Sequence, residues 1–438
     1  MFEYLQRLIN DGEIRIIKRT VDPRFELAAV THLSQKKDDL PILFRSVKGS
    51  DMPVVSNVYG SRQRLFDLVG AEKGSFCRRW TELSSRLNGN PDYYTAGAYP
   101  GNRVQGELRD LPLITYREKE PNPYFTSAIY LAKDPENGIP NLSFNRSMYV
   151  NDNELRVRLG SSHDLYKYYK KAEKIGAPLE AAILIGSPPE IFLAACASLP
   201  MHQNELESAA LIKGAPLTMH RCATIDLLVP SETEIIIEGR FLPGTLRPEG
   251  PFGEFMGYYV EAGDNHVFDV TSVSWRKGAF FHSLLCGSKE DLYPLDLFTG
   301  ARIYQYLSTQ LPGIVDVTCY PCLMNTIVKI QQQYEGHARH VLLAAFAAHL
   351  DYSKSCMVVD EDVDIYDLED IWWAYLTRGR ADKRAFILND MPGFYRDPKK
   401  DHWGRLAIDA TKPFHRQPEF ERARIPGAES MALADYED

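Results

Sequence analysis

The chain has 438 residues, too many for one ordinary core, so two or three domains are expected. Its 44% hydrophobic and 11% aromatic content is that of a globular protein, and 50 Lys+Arg against 59 Asp+Glu leave a net charge of −9. That balance argues against a nucleic-acid partner or an anionic-membrane surface, while leaving room for a local basic pocket for phosphate.

The first segment, MFEYLQRLINDGEIRII, has no basic leader ahead of a long apolar run, so no signal peptide is read there. FEYLQRLIN is amphipathic and stopped by Asp11-Gly12; EIRIIK reads as a strand, FELAAVTHL as a helix, and LPILFRSV and MPVVSNV as short strands. Residues 1–100 thus form a small α/β domain, and residues 88–125, rich in Pro, Gly and Asn, read as a linker. From 101 to 295 strand-like runs dominate (SAIYLAKD, SMYVND, LRVRLG, AAILIGS, CATIDLLV, EIIIEGRF, HVFDVTSVSWRK), interrupted by helical DLYKYYKKAEKIG and IFLAACASL. Many short strands with turn signals between them predict a barrel or an open antiparallel sheet. From 296 to 438 helix and strand alternate again, which predicts an α/β domain with a parallel sheet and an extended, proline-punctuated tail. The run VLLAAFAAHL (341–350) is too short to span a bilayer, and a cytoplasmic enzyme is expected. Its Ala-rich helix suits either the interior or a second subunit.

Seven cysteines are scattered, which suggests reduced thiols. Cys319-Tyr-Pro-Cys322 is a single CxxC followed by strand-like LMNTIVKIQ. A redox dithiol normally opens a helix, so two small side chains near a turn are the expected reading.

Three polar segments of the middle unit suit chemistry better than a core. NLSFNRSM carries Asn141 and Arg146; LGSSHDL sets His163 at a helix start behind Ser161 and Ser162, where a serine N-cap and a phosphate would both be at home. MHQNELESAALIKG opens a helix on Glu205. Asn, His and Glu make a mixed O/N set suited to Mn²⁺ or Mg²⁺ rather than thiolate-bound zinc. Each also has a bland reading: a turn asparagine, a surface histidine, and a first-turn glutamate favoured by the helix dipole.

PEGPFGEFMGYY (248–259) places Glu249 and Glu254 at either end of Gly-Pro-Phe-Gly. Positions five apart point to opposite faces of a strand and stand well apart around a helix. Pro251 removes a backbone donor, and Gly250 and Gly253 admit conformations closed to other residues, so an irregular loop is expected. Such a loop can aim both carboxylates at one point. If Arg146 reaches both, the group is a proton relay or a structural salt bridge, and the residues alone leave both open.

EGPFGEFMGYY, Asn141-(x)4-Arg146, His163, Glu205-(x)4-Ala210-(x)3-Gly214, VPSETEIIIEG (229–239), VVDEDVD (358–364) and DATKP (409–413) together resemble the UbiD-type decarboxylases, in one order from about residue 20 to about 428. The resemblance implies three domains, the central one (101–295) a split β-barrel holding prenylated FMN, and reversible non-oxidative decarboxylation of aromatic, heteroaromatic or α,β-unsaturated acids. It implies that Asn141, His163 and Glu205 bind a divalent metal, Mn²⁺ or Mg²⁺, with K⁺ close by, and that Arg146, Glu249 and Glu254 form the catalytic network. Asn145, Arg146, Ser162, His163, Ser198, Leu199, Pro200, Glu205 and Lys354 would contact the cofactor or its phosphate. Glu254 would donate the proton that replaces CO₂. Phe252, Phe255, Tyr258 and Phe298 could line a flat pocket, which favours a single-ring or heteroaromatic acid. A flavin prenyltransferase would supply the cofactor, and a homodimer or a hexamer of dimers is expected. Against this stand an FMN oxidoreductase, a scaffold that has kept the fold, and a two-carboxylate glycosidase. Hydride transfer needs neither the Glu-Arg-Glu set nor the metal set, retention of the key side chains argues against a scaffold, and the arginine and short loop fit a glycosidase poorly.

Overall fold

The computed structural model describes residues 1–197, 199–349, 352–394, 402–427, 431 and 436. The N-terminal helix Phe2–Asn10 buries Leu5 and Leu8, as its amphipathic pattern predicts. Strands Arg15–Ile17, Ile42–Phe44 and Val54–Ser56 follow the reading, and Phe281–His282 completes their four-stranded sheet from far along the chain. Helices Arg62–Val69 and Phe76–Ser84 were not anticipated. The expected linker is partly ordered: Tyr94–Ala96 pairs with Leu217–Arg221, and Arg103–Gly106 with Gly263–Arg276.

The middle of the chain forms a nine-stranded antiparallel sheet. Its path runs Tyr124–Phe125, Ser147–Asn151, Glu154–Val157, Gly263–Arg276, Ile235–Glu249, Leu179–Ile185, Ile129–Lys133, Pro140–Phe144, with Arg103–Gly106 attached to the side. The path is open: among the described residues no ladder joins its terminal strands, so hydrogen bonding does not close the expected barrel. Alternate residues of Leu179–Ile185 feed two cores. Ala182 and Leu184 join the helices Pro189–Cys196 and Glu205–Lys213, while Ile183 and Ile185 pack with Tyr130, Phe241 and Phe268. Burial on both faces is why AAILI is continuously apolar.

The last unit is a five-stranded sheet in the order Ile314–Thr318, Asn325–Ile330, Ser355–Asp360, Trp403–Asp409, Ala385–Met391. It is mixed rather than parallel: the three inner strands are parallel and both edge pairs antiparallel. The helix expected from Leu295 begins at Lys289 and runs to Gln310 with Pro294 inside it. Pro294 removes one i→i−4 donor in the second turn, yet the helix starts upstream of it rather than after it. The Ala-rich helix His337–Ala348 buries Val341, Leu342, Ala345 and Phe346 inside the fold. Cys319 is fully buried and desolvation pushes its thiol well above the ordinary range; a turn and then a strand follow it, as expected of a non-redox pair.

Candidate active site

Arg146 lies between strands Pro140–Phe144 and Ser147–Asn151. Glu249 is the last residue of strand Ile235–Glu249, opposite Gly263. Gly250 then takes φ +90°, a conformation that costs glycine little, and the chain leaves the sheet. Phe252–Gly253 pairs with Tyr259–Val260, and the Glu254 amide donates to the Tyr258 carbonyl at 2.9 Å. An irregular step between two short ladders is thus what turns two carboxylates, five residues apart, towards one guanidinium.

Arg146 donates to Glu249 side-on, Nε to Oε1 at 3.0 Å and Nη2 to Oε2 at 3.2 Å, while Nη1 donates to Glu254 Oε1. Glu249 is held in turn by the Tyr124 hydroxyl at 2.9 Å and by Asn265 Nδ2 at 2.8 Å. The Arg146 guanidinium lies over the Phe252 ring at 4.5 Å, and its side chain is only 10% exposed. Burial alone would lower its pKa; the charges of Glu249 and Glu254 outweigh that and raise it. Burial, followed by the charge of Glu249, raises the Tyr124 phenol, which therefore stays a donor. One cation thus faces two carboxylates with little water present. Two carboxylates therefore share a single guanidinium at this point. Neither Tyr124 nor Asn265 carried a sequence signal; both are ordinary strand residues until Glu249 is placed beside them.

Asn141 and Glu205 also meet. Glu205 opens the helix Glu205–Lys213, capped by the Asn204 side chain accepting from the Leu206 amide at 2.9 Å. Asn141 Nδ2 and the Leu142 amide reach the Glu205 carboxylate at 3.4 Å each. Asn141 Oδ1 is buried without a hydrogen-bond partner, and Glu205 is pushed up to about 8, first by burial and also by the nearby charge of Asp164. An orphaned carbonyl oxygen beside a desolvated carboxylate suits a hard divalent cation. His163 heads the helix Asp164–Lys174 and is exposed; it, not a serine, occupies the N-cap position. Asp164 acting on Glu205 puts that helix start in the same neighbourhood. Among the described residues no three His, Cys, Asp or Glu side chains gather as a ready-made metal cluster.

The other expected cofactor contacts are spread around these two groups. Asn145 is buried, with Nδ2 donating to the Ser143 hydroxyl at 3.1 Å, and Ser162 is exposed in the turn before His163. Leu199 packs half-buried against the core and Pro200 is exposed; Ser198 lies outside the described residues. Lys354 comes from the last unit, with Nζ 4.4 Å from the Trp403 ring. Phe255 and Met256, just after Glu254, pack against Phe394, Trp403 and Met324, so the Glu254 loop touches the unit that carries Lys354. Phe298 is core, edge-on to Phe76 and Trp80, and Tyr258 is 62% exposed; neither fits the expected flat pocket wall. Of the Glu290-Asp291 step, Glu290 is structural: it accepts from the Asn57 amide at 2.6 Å and pairs with His282 Nε2 at 2.9 Å. Asp291 is on the Glu254 side and is pushed up to about 6 by desolvation, with the charges of Glu254 and Glu290 adding to it.

Three family models match in sequence: the N-terminal domain of 3-octaprenyl-4-hydroxybenzoate carboxy-lyase over residues 5–84, its Rift-related domain over 98–289 and its C-terminal domain over 293–410. The anhydromevalonate phosphate decarboxylase of Methanothermobacter thermautotrophicus is 32% identical over 94% of this chain and 96% of its own. That of Methanosarcina mazei is 31% identical over 97% and 99%. Among solved structures, the UbiD-class enzyme HmfF from Pelotomaculum thermopropionicum in complex with FMN superposes with a TM-score of 0.92, 31% identity and 99% of both chains covered. An evolved dimeric form of HmfF in complex with prFMN gives a TM-score of 0.88 at 30% identity, again over 99% of both chains.

Proposed function

The chain belongs to the UbiD family of decarboxylases, and on that premise we propose that it removes CO₂ reversibly, without net oxidation, from an α,β-unsaturated, aromatic or heteroaromatic acid. The observation that carries the site assignment is the buried contact of Arg146 with both Glu249 and Glu254. Loss of CO₂ from an sp² carbon leaves an electron pair that side chains cannot hold, and prenylated FMN, when bound, supplies the electron sink. The open nine-stranded sheet is read as the split barrel for that flavin, within domains 1–100, 101–295 and 296–438. Asn141 and Glu205, with His163, would hold Mn²⁺ or Mg²⁺, with K⁺ beside it; Asn145, Ser162, Ser198, Leu199, Pro200 and Lys354 would flank the cofactor. A flavin prenyltransferase would make it.

This chain's own residues then manage charge and proton. Glu249, tied by Tyr124 and Asn265, fixes the guanidinium in orientation. Arg146 orients the Glu254 carboxyl towards the carbon that CO₂ leaves and pairs with the carboxylate that remains after the proton is delivered. Solvent restores the proton afterwards. With Phe298 in the core and Tyr258 exposed, the single-ring expectation loses two of its four supports, and similarity to the anhydromevalonate phosphate decarboxylases favours including non-aromatic unsaturated acids.

The test uses protein produced with a flavin prenyltransferase. Wild type should release a flavin of prenylated-FMN mass on denaturation and liberate CO₂ from at least one acid of a mixed panel. Glu254→Gln should bind the same flavin to the same occupancy and lose turnover by at least a hundredfold. Full activity in Glu254→Gln would remove Glu254 from the donor role.

A further inference from the structure

The turn that carries Glu254 is clamped by a residue outside both the Glu-Arg-Glu group and the cation group. Gly253 precedes Glu254, and a Cβ built there would stand 1.9 Å from Arg117 Cδ and 2.3 Å from its Nε. The arginine side chain therefore lies directly on the Gly253 backbone, in space that only a glycine leaves free. Beyond that contact Arg117 Nη2 donates to the Cys286 carbonyl at 2.8 Å. Cys286 adjoins Gly287, where a Cβ would sit 3.1 Å from the Phe255 carbonyl oxygen and 3.2 Å from its Cα. Phe255 is the residue after Glu254. One arginine thus touches the chain before the carboxylate and fastens the turn that presses on the chain after it.

The clamp is itself anchored. The Tyr116 and Arg117 amides donate to Glu120 Oε2 at 2.8 and 3.0 Å, which fixes the backbone from which the arginine projects. The Tyr116 hydroxyl meets Ser283 Oγ at 2.9 Å, so the 116–120 turn grips the 283–287 segment at a second point. The Gly287 amide donates to Asp291 Oδ2 at 2.7 Å and closes that segment onto the long helix. The charges of Glu254 and Arg146 both act on the Cys286 thiol, which confirms how near this turn lies to the reacting group.

We propose that Arg117 is a positioning residue that holds Glu254 at the geometry for proton delivery by bracing Gly253 against the 286–287 turn. The proposal rests on Glu254 being the donor for its functional consequence, but the brace can be tested without that reading. In the full-length protein, Arg117→Ala should raise amide exchange in peptides covering 250–257 and 284–288 by roughly tenfold or more, with the nine-stranded sheet unchanged. Arg117→Met, which keeps the methylene path over Gly253 but loses the donor, should loosen 284–288 more than 250–254. Gly253→Ala should loosen the turn in wild type by displacing Arg117, and should add little to Arg117→Ala, where the obstacle is gone. In the prenylated-FMN-loaded enzyme, on any panel acid that gives CO₂ release, Arg117→Ala should lower kcat about tenfold or more and leave KM and flavin occupancy unchanged. Unchanged exchange at both segments, a uniform rise across all peptides, or additive loss in Gly253→Ala/Arg117→Ala would overturn the brace. Retained activity in Glu254→Gln would instead remove the donor reading and leave the exchange result to decide the brace alone.

Discussion

Without a cation, Glu205 carries its proton at neutral pH, because burial holds its pKa up to about 8 with Asp164 adding a like charge. The folded value stands above the ordinary 4.5, so the stability this group contributes is full below about 4.5 and is lost as pH rises through about 8. Glu205→Gln removes that titration. Wild-type apo protein should therefore lose roughly 2 °C or more of Tm relative to Glu205→Gln between pH 5 and pH 8.5. On the proposed metal site, added Mn²⁺ should restore it in wild type alone, by replacing the proton on Glu205 and engaging Asn141. A pH-independent gap between the two proteins would count against the buried-acid picture. Residue types were legible before their geometry. Glu249 and Glu254 could be singled out because a Gly-Pro-Phe-Gly loop makes no sense as a core element, and Arg146 because NLSFNRSM is too polar for one, whereas Tyr124, Asn265 and Arg117 act only through contacts 16 to 169 positions away in sequence. A short linear reading has no access to those.

At the scale of elements, a buried node ties the long helix Lys289–Gln310 to the helix Arg62–Val69 and to the strand Ile314–Thr318. Arg62, on the helix Arg62–Val69, donates to Asp296 Oδ2 at 2.5 Å, and the same carboxylate accepts from Thr318 Oγ1 at 2.7 Å and the Cys319 amide at 2.5 Å. Tyr293 and Tyr320 flank the guanidinium at 4.1 and 4.4 Å. The Asp296 side chain is 2% exposed, so Arg62→Ala strands a charge and should cost about 3 kcal/mol, read as a lowered unfolding midpoint. Asp296→Asn should recover part of that loss in the double variant, because the uncompensated charge is gone. Simple addition of the two single losses would argue that the ion pair is not what joins these elements. Helices with a clean apolar stripe, such as Phe2–Asn10, were readable. Arg62–Val69 and Phe76–Ser84 carry buried stripes of their own (Leu65, Phe66 and Val69; Phe76, Cys77, Trp80 and Leu83) that the sequence reading passed over. Edge strand Ile314–Thr318 pairs antiparallel with Asn325–Ile330 because only residues 319–324 join them, and Ala385–Met391 pairs antiparallel at the other edge, a matter of spatial return that the helix–strand alternation did not encode.

For the whole molecule, the expected homodimer can be tested on the surface of the last unit. On Leu368–Arg378, Trp372 and Leu376 are four residues apart, hence on one face, and are 54% and 75% exposed. Trp373 beside them, 37% exposed, is partly covered: Arg422 of the tail lies 3.7 Å over its ring and pairs with Asp370 at 2.8 Å. The tail therefore docks on one side of this helix and leaves an apolar pair on another, which is an unfavourable surface for a solitary chain. We expect a homodimer, so light scattering should give about twice 49.8 kDa, or a multiple of that if dimers assemble further into a hexamer. Trp372→Glu/Leu376→Glu should lower the mass by placing charge on the patch while leaving the far-removed Arg146 cluster and flavin content intact. A wild-type mass of one chain would remove the dimer expectation. An unchanged mass in the double variant would move the interface elsewhere on the chain, with the Leu343 face of His337–Ala348, 46% exposed at that residue, the next surface to charge.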